Sequence, residues 1–257
     1  MNPGKKAGVQ SKKVLAAAGL ATVALASAAY AQTAGNQYSV SGGTKTRGGT
    51  VAKPKAADLN FKFTLSDPAG NVPQVVKTYA IKVEGGKVNT SLIPGCKASA
   101  MDNAGTDDKC PKGSKVGSGK LTALIGKSGT AKADALSCSL PFGLYNSGGG
   151  KAALWIEAKP PACAVPVAQA VPATWTKSGT TAGLTFTVPD LLRHQVGLDL
   201  PVIDASADIG KIVKKRKGKS VGFLESTGCK DGKRDFSVTF TTEDGQSQTV
   251  DKTLSYC

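Results

Sequence analysis

The sequence predicts an all-β protein, an antiparallel β-sandwich stapled by disulfide bonds. Short runs of alternating apolar and polar residues recur between Gly, Pro and Asp-Gly turns, which is typical of sandwich strands. No stretch beyond the N-terminal region keeps a helical apolar period over about 12 residues. With 257 residues, of which 40% are hydrophobic and 20% charged, the chain is long enough to bury a core. One large sandwich and two small ones both fit this length.

Residues 1–31 are predicted to be a secretory signal peptide that is cleaved after Ala31. A lysine-rich start precedes an apolar run, Val14–Ala26, and Ala29-Tyr30-Ala31 supplies the small residues of a cleavage site. The run is shorter than the roughly 20 residues that cross a bilayer, which argues against the alternative of a membrane anchor. We therefore expect a secreted, extracellular protein whose mature chain has no transmembrane segment.

The chain is strongly basic, with a formal net charge of +15 that falls to +11 when the four lysines of the leader are removed. Charge is densest in the segment 211–219, which is the candidate contact for an anionic surface or envelope polymer. Its candidate contact residues are Lys211, Lys214, Lys215, Arg216, Lys217 and Lys219. The alternative is a solvated hairpin whose lysines discourage edge-to-edge strand pairing. Nucleic acid is disfavoured as a partner, because this segment has one Arg and no aromatic residue.

Six Cys in an exported chain predict a disulfide framework. The sequence alone permits about 15 pairings, and pairing of neighbours along the chain is the natural expectation. The expected bridges are Cys96–Cys110, Cys138–Cys163 and Cys229–Cys257. Each would contribute about 3 kcal/mol by restricting the unfolded chain. Zinc is disfavoured because no Cys pair has C-x₂-C spacing, and a catalytic Cys because the count is even and the chain has one His.

The first predicted element is a flexible lead-in, residues 32–57, which is rich in Gly, Lys and Thr. A half-buried strand follows at 60–66, where Phe and Leu alternate with polar residues. A second strand at 79–83 is expected to turn at Gly85-Gly86 into a hairpin with residues 87–92.

The middle of the chain is predicted to hold a loop at 93–113 and strands at 115–125, 136–145 and 152–158. The last two strands flank a Gly-rich turn and form a hairpin. Four prolines interrupt the next stretch, so a boundary between two sandwiches, if one exists, lies near residues 160–180.

The C-terminal part is predicted to contain strands at 182–188, 203–213, 220–226 and 235–242, with one helical turn at 189–193. The clearest alternation places Phe236, Val238 and Phe240 on one face. Asp244-Gly245 then turns the chain into a final strand at 248–256. The architecture is immunoglobulin-like only in its layers, because Cys138, Trp155 and Cys163 are too close for the spacing of that domain.

Three stretches resemble a group of uncharacterised secreted bacterial β-rich proteins. They are the Cys96…Cys110-Pro111-Lys112-Gly113-Ser114-Lys115-Val116-Gly117-Ser118-Gly119 stretch, Leu144-Tyr145-Asn146 before a Gly turn, and Gly222-Phe223-Leu224-Glu225-Ser226-Thr227-Gly228-Cys229. The likeness covers most of residues 58–257. This resemblance implies secretion and a β fold. It assigns no catalytic residue to the chain, because the matching motifs are turns and Cys spacings.

The sequence contains no complete catalytic, cofactor or metal motif. His194 is the only imidazole, and the Gly-x-Ser-x-Gly elbow that would accompany a serine nucleophile is absent. Gly126-Lys127-Ser128 lacks the first Gly of a phosphate loop. The acidic residues Asp102, Asn103, Asp107 and Asp108 do not follow the order of a calcium loop. No catalytic, cofactor-binding or metal-binding residue is therefore assigned.

These observations favour a non-catalytic protein that acts by surface association or partner binding at the cell envelope. Two alternatives stay open. The first is a carboxylate-dependent, glycosidase-like hydrolase that uses Glu157 beside Trp155, and it requires two carboxyl groups about 5–9 Å apart in a cleft. The second is a carrier that holds an apolar ligand inside the β fold, and it requires a cavity large enough for that ligand.

Overall fold

The computed structural model describes Met1, residues 35–254 and Cys257. Apart from Met1, the predicted leader lies outside these residues. The described part forms eighteen strands: β1 (Gln37–Gly43), β2 (Lys55–Ala57), β3 (Leu59–Ser66), β4 (Val76–Val83), β5 (Gly86–Val88), β6 (Lys115–Ile125), β7 (Leu136–Gly148), β8 (Lys151–Ala158), β9 (Val167–Ser178), β10 (Thr181–Thr187), β11 (His194–Gln195), β12 (Leu198–Asp199), β13 (Val202–Ile209), β14 (Val213–Arg216), β15 (Lys219–Gly222), β16 (Leu224–Ser226), β17 (Arg234–Thr242) and β18 (Ser247–Leu254). One short helix, α1 (Ala98–Ala104), and two 3₁₀ turns, Lys132–Asp134 and Asp190–Leu192, complete the set.

Eleven of the strands form one continuous antiparallel sheet. Its order is β1-β3-β13-β6-β7-β8-β9-β10-β4-β17-β18. The sheet curls until its ends meet, since Tyr38 of β1 stacks on Phe240 of β17 with ring centroids 4.2 Å apart. The predicted all-β, antiparallel fold is confirmed, and the packed layers are opposite parts of the same sheet.

The core fills the space between the inner faces of this sheet. Period-two alternation in β17 buries Phe236, Val238 and Phe240 as predicted, because the intervening Ser and Thr residues point away from the core. Across the core, Phe61 of β3 approaches Phe236 with ring centroids 5.6 Å apart. A second apolar layer lies under α1, where Met101 packs against β7, β8 and β9.

Three small sheets surround the large one. The first, β2-β16-β5, places Leu224 opposite Ala57 and Val88. The second is the β14–β15 hairpin, and the third pairs the short strands β11 and β12. Among the described helices, none combines the length and apolar character that a membrane crossing would require.

The three predicted disulfides are confirmed. The structure joins Cys96 to Cys110, Cys138 to Cys163, and Cys229 to Cys257. The first closes the segment that contains α1, and the third ties Cys257 to the segment before β17. All six Cys are therefore crosslinked.

Several elements differ from the sequence expectation. The segment 32–57 is not a plain flexible lead-in within its described part, because β1 pairs along its length with β3 and β2 pairs with β16. The hairpin expected at Gly85-Gly86 is also wrong: β4 pairs with β10 and β17, whereas β5 pairs with β16. Both errors have the same cause, since a short strand is stabilised by distant partners that local patterning does not reveal.

The prolines at 160–172 do not interrupt the sheet. Strands β8 and β9 lie side by side, and Pro172 stands opposite Ala153 within their ladder. Residues on both sides of the segment 160–180 belong to one compact unit. The helix α1 arises inside the expected loop at 93–113. Four of the seven residues of Ala98–Ala104 are Ala or Met, which are good helix formers, and Gly105 ends the helix with a left-handed conformation.

Candidate functional site

The interior of the large sheet contains an apolar cavity of about 120 Å³. Inward-facing side chains from most strands of the sheet line it, including Phe61, Phe63, Ile81, Leu121, Leu154, Leu184 and Phe186. An engineered apolar cavity of about 150 Å³ in another protein holds benzene, so this space has the size of a small ring-shaped ligand.

Small side chains on β13 make the room for this cavity. Ala205 lies opposite Phe63 of β3, and Ala207 lies opposite Phe61. On its other side, Ala207 faces Gly119 of β6, which has no side chain. The place of a Gly119 side chain is taken by the Phe142 ring, but Ala205 and Ala207 both line the cavity, and their small side chains leave space between the sheet faces.

The polar residues at the edge of the cavity are engaged with one another. The Glu225 carboxylate, only 4% exposed, accepts hydrogen bonds from Lys87 Nζ at 3.0 Å, Asn89 Nδ2 at 2.9 Å and the Gly222 amide at 3.1 Å. Burial acts to raise the pKa of Glu225, but the hydrogen bonds from Asn89, Gly222 and Lys87 outweigh it and lower that pKa. Arg234 donates to the carbonyl oxygen of Glu84 at 2.8 Å and to Ser226 Oγ at 2.7 Å.

Trp175 of β9 also lines the cavity. Its ring meets Phe223 edge-on, with centroids 5.8 Å apart and planes inclined by 75°. The Trp175 Nε1 atom is buried and has no hydrogen-bond acceptor among the described residues. The sequence did not single out this residue, because it lies in the stretch that the prolines appeared to break.

Glu157 and Trp155 adjoin as the hydrolase alternative assumed, but the Trp ring is not available as a sugar platform. Trp155 is 3% exposed, and its indole N–H donates to Glu157 Oε2 at 3.4 Å. Glu157 Oε1 forms an ion pair with Lys159 Nζ at 2.9 Å. Hydrogen bonds from Lys159 and Trp155 lower the pKa of Glu157, whereas a general acid for glycoside cleavage needs a raised pKa.

A second carboxylate shares the surface depression with Glu157. This is Asp107, and Lys115 and Lys159 line the same depression. The Tyr145 hydroxyl donates a hydrogen bond to Asp107 Oδ2. Burial, followed by the contact with Asp107, raises the pKa of Tyr145 above its ordinary value. The depression therefore combines two carboxylates with two lysines, and Glu157 is held in its charged form.

The acidic loop has structural contacts of its own. Asp102 Oδ1 accepts a hydrogen bond from the Ala170 amide at 2.7 Å, which ties α1 to β9. Asp107 likewise accepts a hydrogen bond from Tyr145. Two of the four residues considered as calcium ligands, Asp102 and Asp107, therefore form hydrogen bonds with the protein itself.

His194 lies in a cluster that the sequence did not predict. Its Nδ1 atom is 3.0 Å from Asp199 Oδ1, and its Nε2 atom is 2.8 Å from Glu243 Oε1. Ligand atoms of Asp190, His194 and Glu243 lie within 4.8 Å of one another, as metal ligands would. Arg193, however, forms ion pairs with both Asp190 and Glu243, so a guanidinium group already lies against these two carboxylates. Glu243 is 49 residues from His194, and no local spacing could have linked them.

Ser128 approaches the same cluster without completing a catalytic triad. Its amide donates to Asp199 Oδ2 at 2.8 Å, while its hydroxyl donates to the Pro73 carbonyl at 3.0 Å. The hydroxyl is therefore not directed at the imidazole, which a serine nucleophile requires.

The basic segment 211–219 forms an exposed hairpin. Strands β14 and β15 pair from Val213 to Gly222, and Lys217 and Gly218 make the turn with positive φ angles of 49° and 76°. None of its six basic candidates forms an ion pair with an acid among residues 35–254. Arg216 Nη1 makes a hydrogen bond to Ser91 Oγ at 3.3 Å. The hairpin thus presents unneutralised positive charge to solvent.

Comparison of the chain with models of protein families, with curated proteins and with solved structures gives no match.

Proposed function

We propose that this is a non-catalytic binding protein that holds a small apolar ligand inside its β-sheet. The observation that carries the proposal is the apolar cavity of about 120 Å³ between the inner sheet faces. Ligand sites are concave, largely apolar and preformed, with a few polar groups at defined positions, and this cavity has that composition.

The size of the cavity sets the expected affinity. Burial of each CH₂ group contributes about 0.8 kcal/mol, so a six-carbon ligand gains about 5 kcal/mol, which corresponds to a Kd near 0.2 mM. A natural ligand that fits the walls more closely would bind more tightly. Benzene is a suitable probe, because its size matches the cavity and it makes no demand on polar partners.

The test is a thermal or urea unfolding experiment on the mature protein with and without benzene. A ligand that binds only the folded state, at about fifty times its Kd, raises the free energy of unfolding by about 2 kcal/mol. A stability that does not change over the accessible benzene concentrations would contradict the proposal.

We further propose that the protein is exported and works outside the cytoplasm. The leader pattern of residues 1–31 and the three disulfides support this, because such crosslinks persist in oxidising compartments. N-terminal sequencing of protein recovered outside the cell should begin at Gln32. An intact leader on intracellular protein, or thiols that react with a titrant, would contradict export.

Association with an anionic surface is a second candidate function, and the exposed hairpin β14–β15 favours it. Six basic side chains without acidic partners attract phosphate-bearing polymers or lipid headgroups, and the attraction weakens with salt. Cosedimentation with vesicles containing anionic lipid, and separately with anionic wall polymer, tests it over a salt series. The double variant Lys214→Gln and Lys215→Gln should weaken binding.

The matched control removes equal charge elsewhere. Lys109 and Lys112 are exposed and lie outside the hairpin. If the double variant Lys109→Gln and Lys112→Gln weakens binding as much, the attraction depends on net charge, and the hairpin is not a specific contact.

A further inference from the structure

Aromatic rings form a large share of the cavity wall. Five of the residues that line the cavity are aromatic, although aromatic residues make up only 5% of the chain. They are Phe61, Phe63, Phe142, Trp175 and Phe186. These residues belong to the four strands β3, β7, β9 and β10 of the curled sheet, so rings border the cavity on more than one side.

Rings in the cavity wall also pack against other rings of the core. Phe61 lies 5.6 Å from Phe236 between ring centroids, with the planes inclined by 49°. Phe186 stacks on Tyr79 with centroids 5.1 Å apart and planes inclined by 16°. Aromatic pairs favour such offset or inclined arrangements at about 4.5–7 Å between centroids. A ring held in the cavity would extend this aromatic cluster by contacts of the same kind.

The charged side chains around the cavity are engaged with protein groups. Asp58 accepts a hydrogen bond from Thr44 at 3.0 Å. Lys87 and Glu225 form an ion pair at 3.0 Å, and Arg234 donates to main-chain carbonyls. A charged ligand would lose its hydration in the apolar lining without a counter-charge in return, so the lining favours an uncharged ligand.

We propose that the natural ligand is a small uncharged molecule whose apolar body is an aromatic ring. This inference rests on the proposed function of the cavity. An aromatic pair contributes more than the apolar area that it buries, by an amount equivalent to about a two- to tenfold gain in affinity. An aliphatic ring of the same volume buries a similar area but lacks this contribution.

Two probes of similar volume separate aromatic from aliphatic binding. Benzene and cyclopentane are both uncharged rings without a hydrogen-bonding group. Titration of the ¹H–¹⁵N spectrum of the mature protein with each probe, in sealed tubes, gives the two Kd values. Each affinity is divided by the water-to-hexadecane partition coefficient of the probe, which removes the difference in hydrophobicity. The corrected affinity for benzene should exceed that for cyclopentane about fivefold or more.

Substitution of a ring in the cavity wall supplies the second measurement. Phe61→Leu keeps an apolar side chain but removes one ring, so the preference for benzene should fall about two- to fivefold. The matched control is Phe223→Leu, because Phe223 is fully buried but is not among the described residues that line the cavity. This control should leave the preference unchanged. Thermal transitions show whether both variants fold, and if Phe61→Leu does not, the two probes in the unchanged protein decide alone.

The outcomes distinguish the two proposals. If neither probe binds, the proposed function fails, and this inference fails with it. If both probes bind with equal corrected affinities, or cyclopentane binds more tightly, the cavity holds apolar ligands but the aromatic preference is overturned. Equal losses of the preference in Phe61→Leu and Phe223→Leu would also overturn it, because the preference would then not come from the rings that line the cavity.

Discussion

Tyr38 stacks on Phe240, with ring centroids 4.2 Å apart and ring planes inclined by 14°. The two residues belong to β1 and β17, which lie near opposite ends of the eleven-stranded order. Their contact therefore joins the ends of the sheet, and it also covers the aromatic cluster in which Phe240 meets Phe63 and Tyr79. An edge strand that would otherwise have one open side is held in place by this stack.

Removal of the stack should loosen the closure of the sheet. Tyr38→Ala is expected to lower the free energy of unfolding by about 2–4 kcal/mol, because it deletes a large ring and leaves Phe240 partly uncovered. Tyr38→Phe keeps the ring and loses only the contact from Asn36 Nδ2 to the hydroxyl at 3.1 Å, so it should cost less than about 1 kcal/mol. Urea unfolding measures the free energy of unfolding of both variants. Equal losses in Tyr38→Ala and Tyr38→Phe would show that the effect comes from the hydroxyl group and not from the ring.

The bridge Cys229–Cys257 pins the last residue of the chain. It closes a loop of 28 residues, so its removal should cost about 3–4 kcal/mol through the entropy of the unfolded chain. Cys257 Sγ also accepts a contact from Arg234 Nη2 at 3.2 Å, and the same Nη2 atom donates to Ser226 Oγ. The double variant Cys229→Ser and Cys257→Ser, measured by urea unfolding, checks this value. If the free energy of unfolding hardly changes, contacts other than the bridge hold Cys257 in place.

The sequence predicts those elements whose signals are local. β6, β10 and β17 appear where alternation places them, and the hairpin β7–β8 follows from its Gly-rich turn. The Cys pairs are also correct, since neighbours along the chain close short loops. In contrast, the partners of β1, β2 and β5 come from other segments of the chain. β2 and β5 have three residues each, which carry too little information to assign a partner, and β1 lies in a stretch rich in Gly and Thr without an apolar pattern.

The candidate site is harder to predict for the same reason. The cavity depends on Ala205 and Ala207 lying beside Phe63 and Phe61, which belong to another strand. Register decides whether small residues meet small or large ones, and the sequence does not state the register. The basic hairpin was predictable, because a dense charge run around a Gly turn is visible without any partner.

Glu225 should make stability depend on pH. Its pKa is lowered in the folded protein from its ordinary value of 4.5, so its contribution is fully present above that pH and is lost as the pH falls through the lowered value. Glu225→Gln should reduce the free energy of unfolding by about 1–2 kcal/mol at pH 7, allowing for the half-exposed Lys87 partner. The difference between the two proteins should shrink below pH 4.5.

The control for this titration is Asp251→Asn, which removes one acidic charge from an exposed position of β18. It should leave the pH dependence of unfolding nearly unchanged. If Glu225→Gln and Asp251→Asn give the same profile, the effect comes from net charge and not from the hydrogen bonds of Glu225.

Filling the cavity should abolish ligand binding without harm to the fold. Ala207→Leu places three additional carbon atoms beside Phe61, at a position that lines the cavity. We expect stabilisation by benzene to disappear, while the unliganded stability changes by less than about 1.5 kcal/mol. Ser206→Leu, the same new side chain at the next residue of β13 and hence on its other face, should leave stabilisation by benzene intact. Retained binding in Ala207→Leu, or equal losses in both variants, would place the benzene site elsewhere.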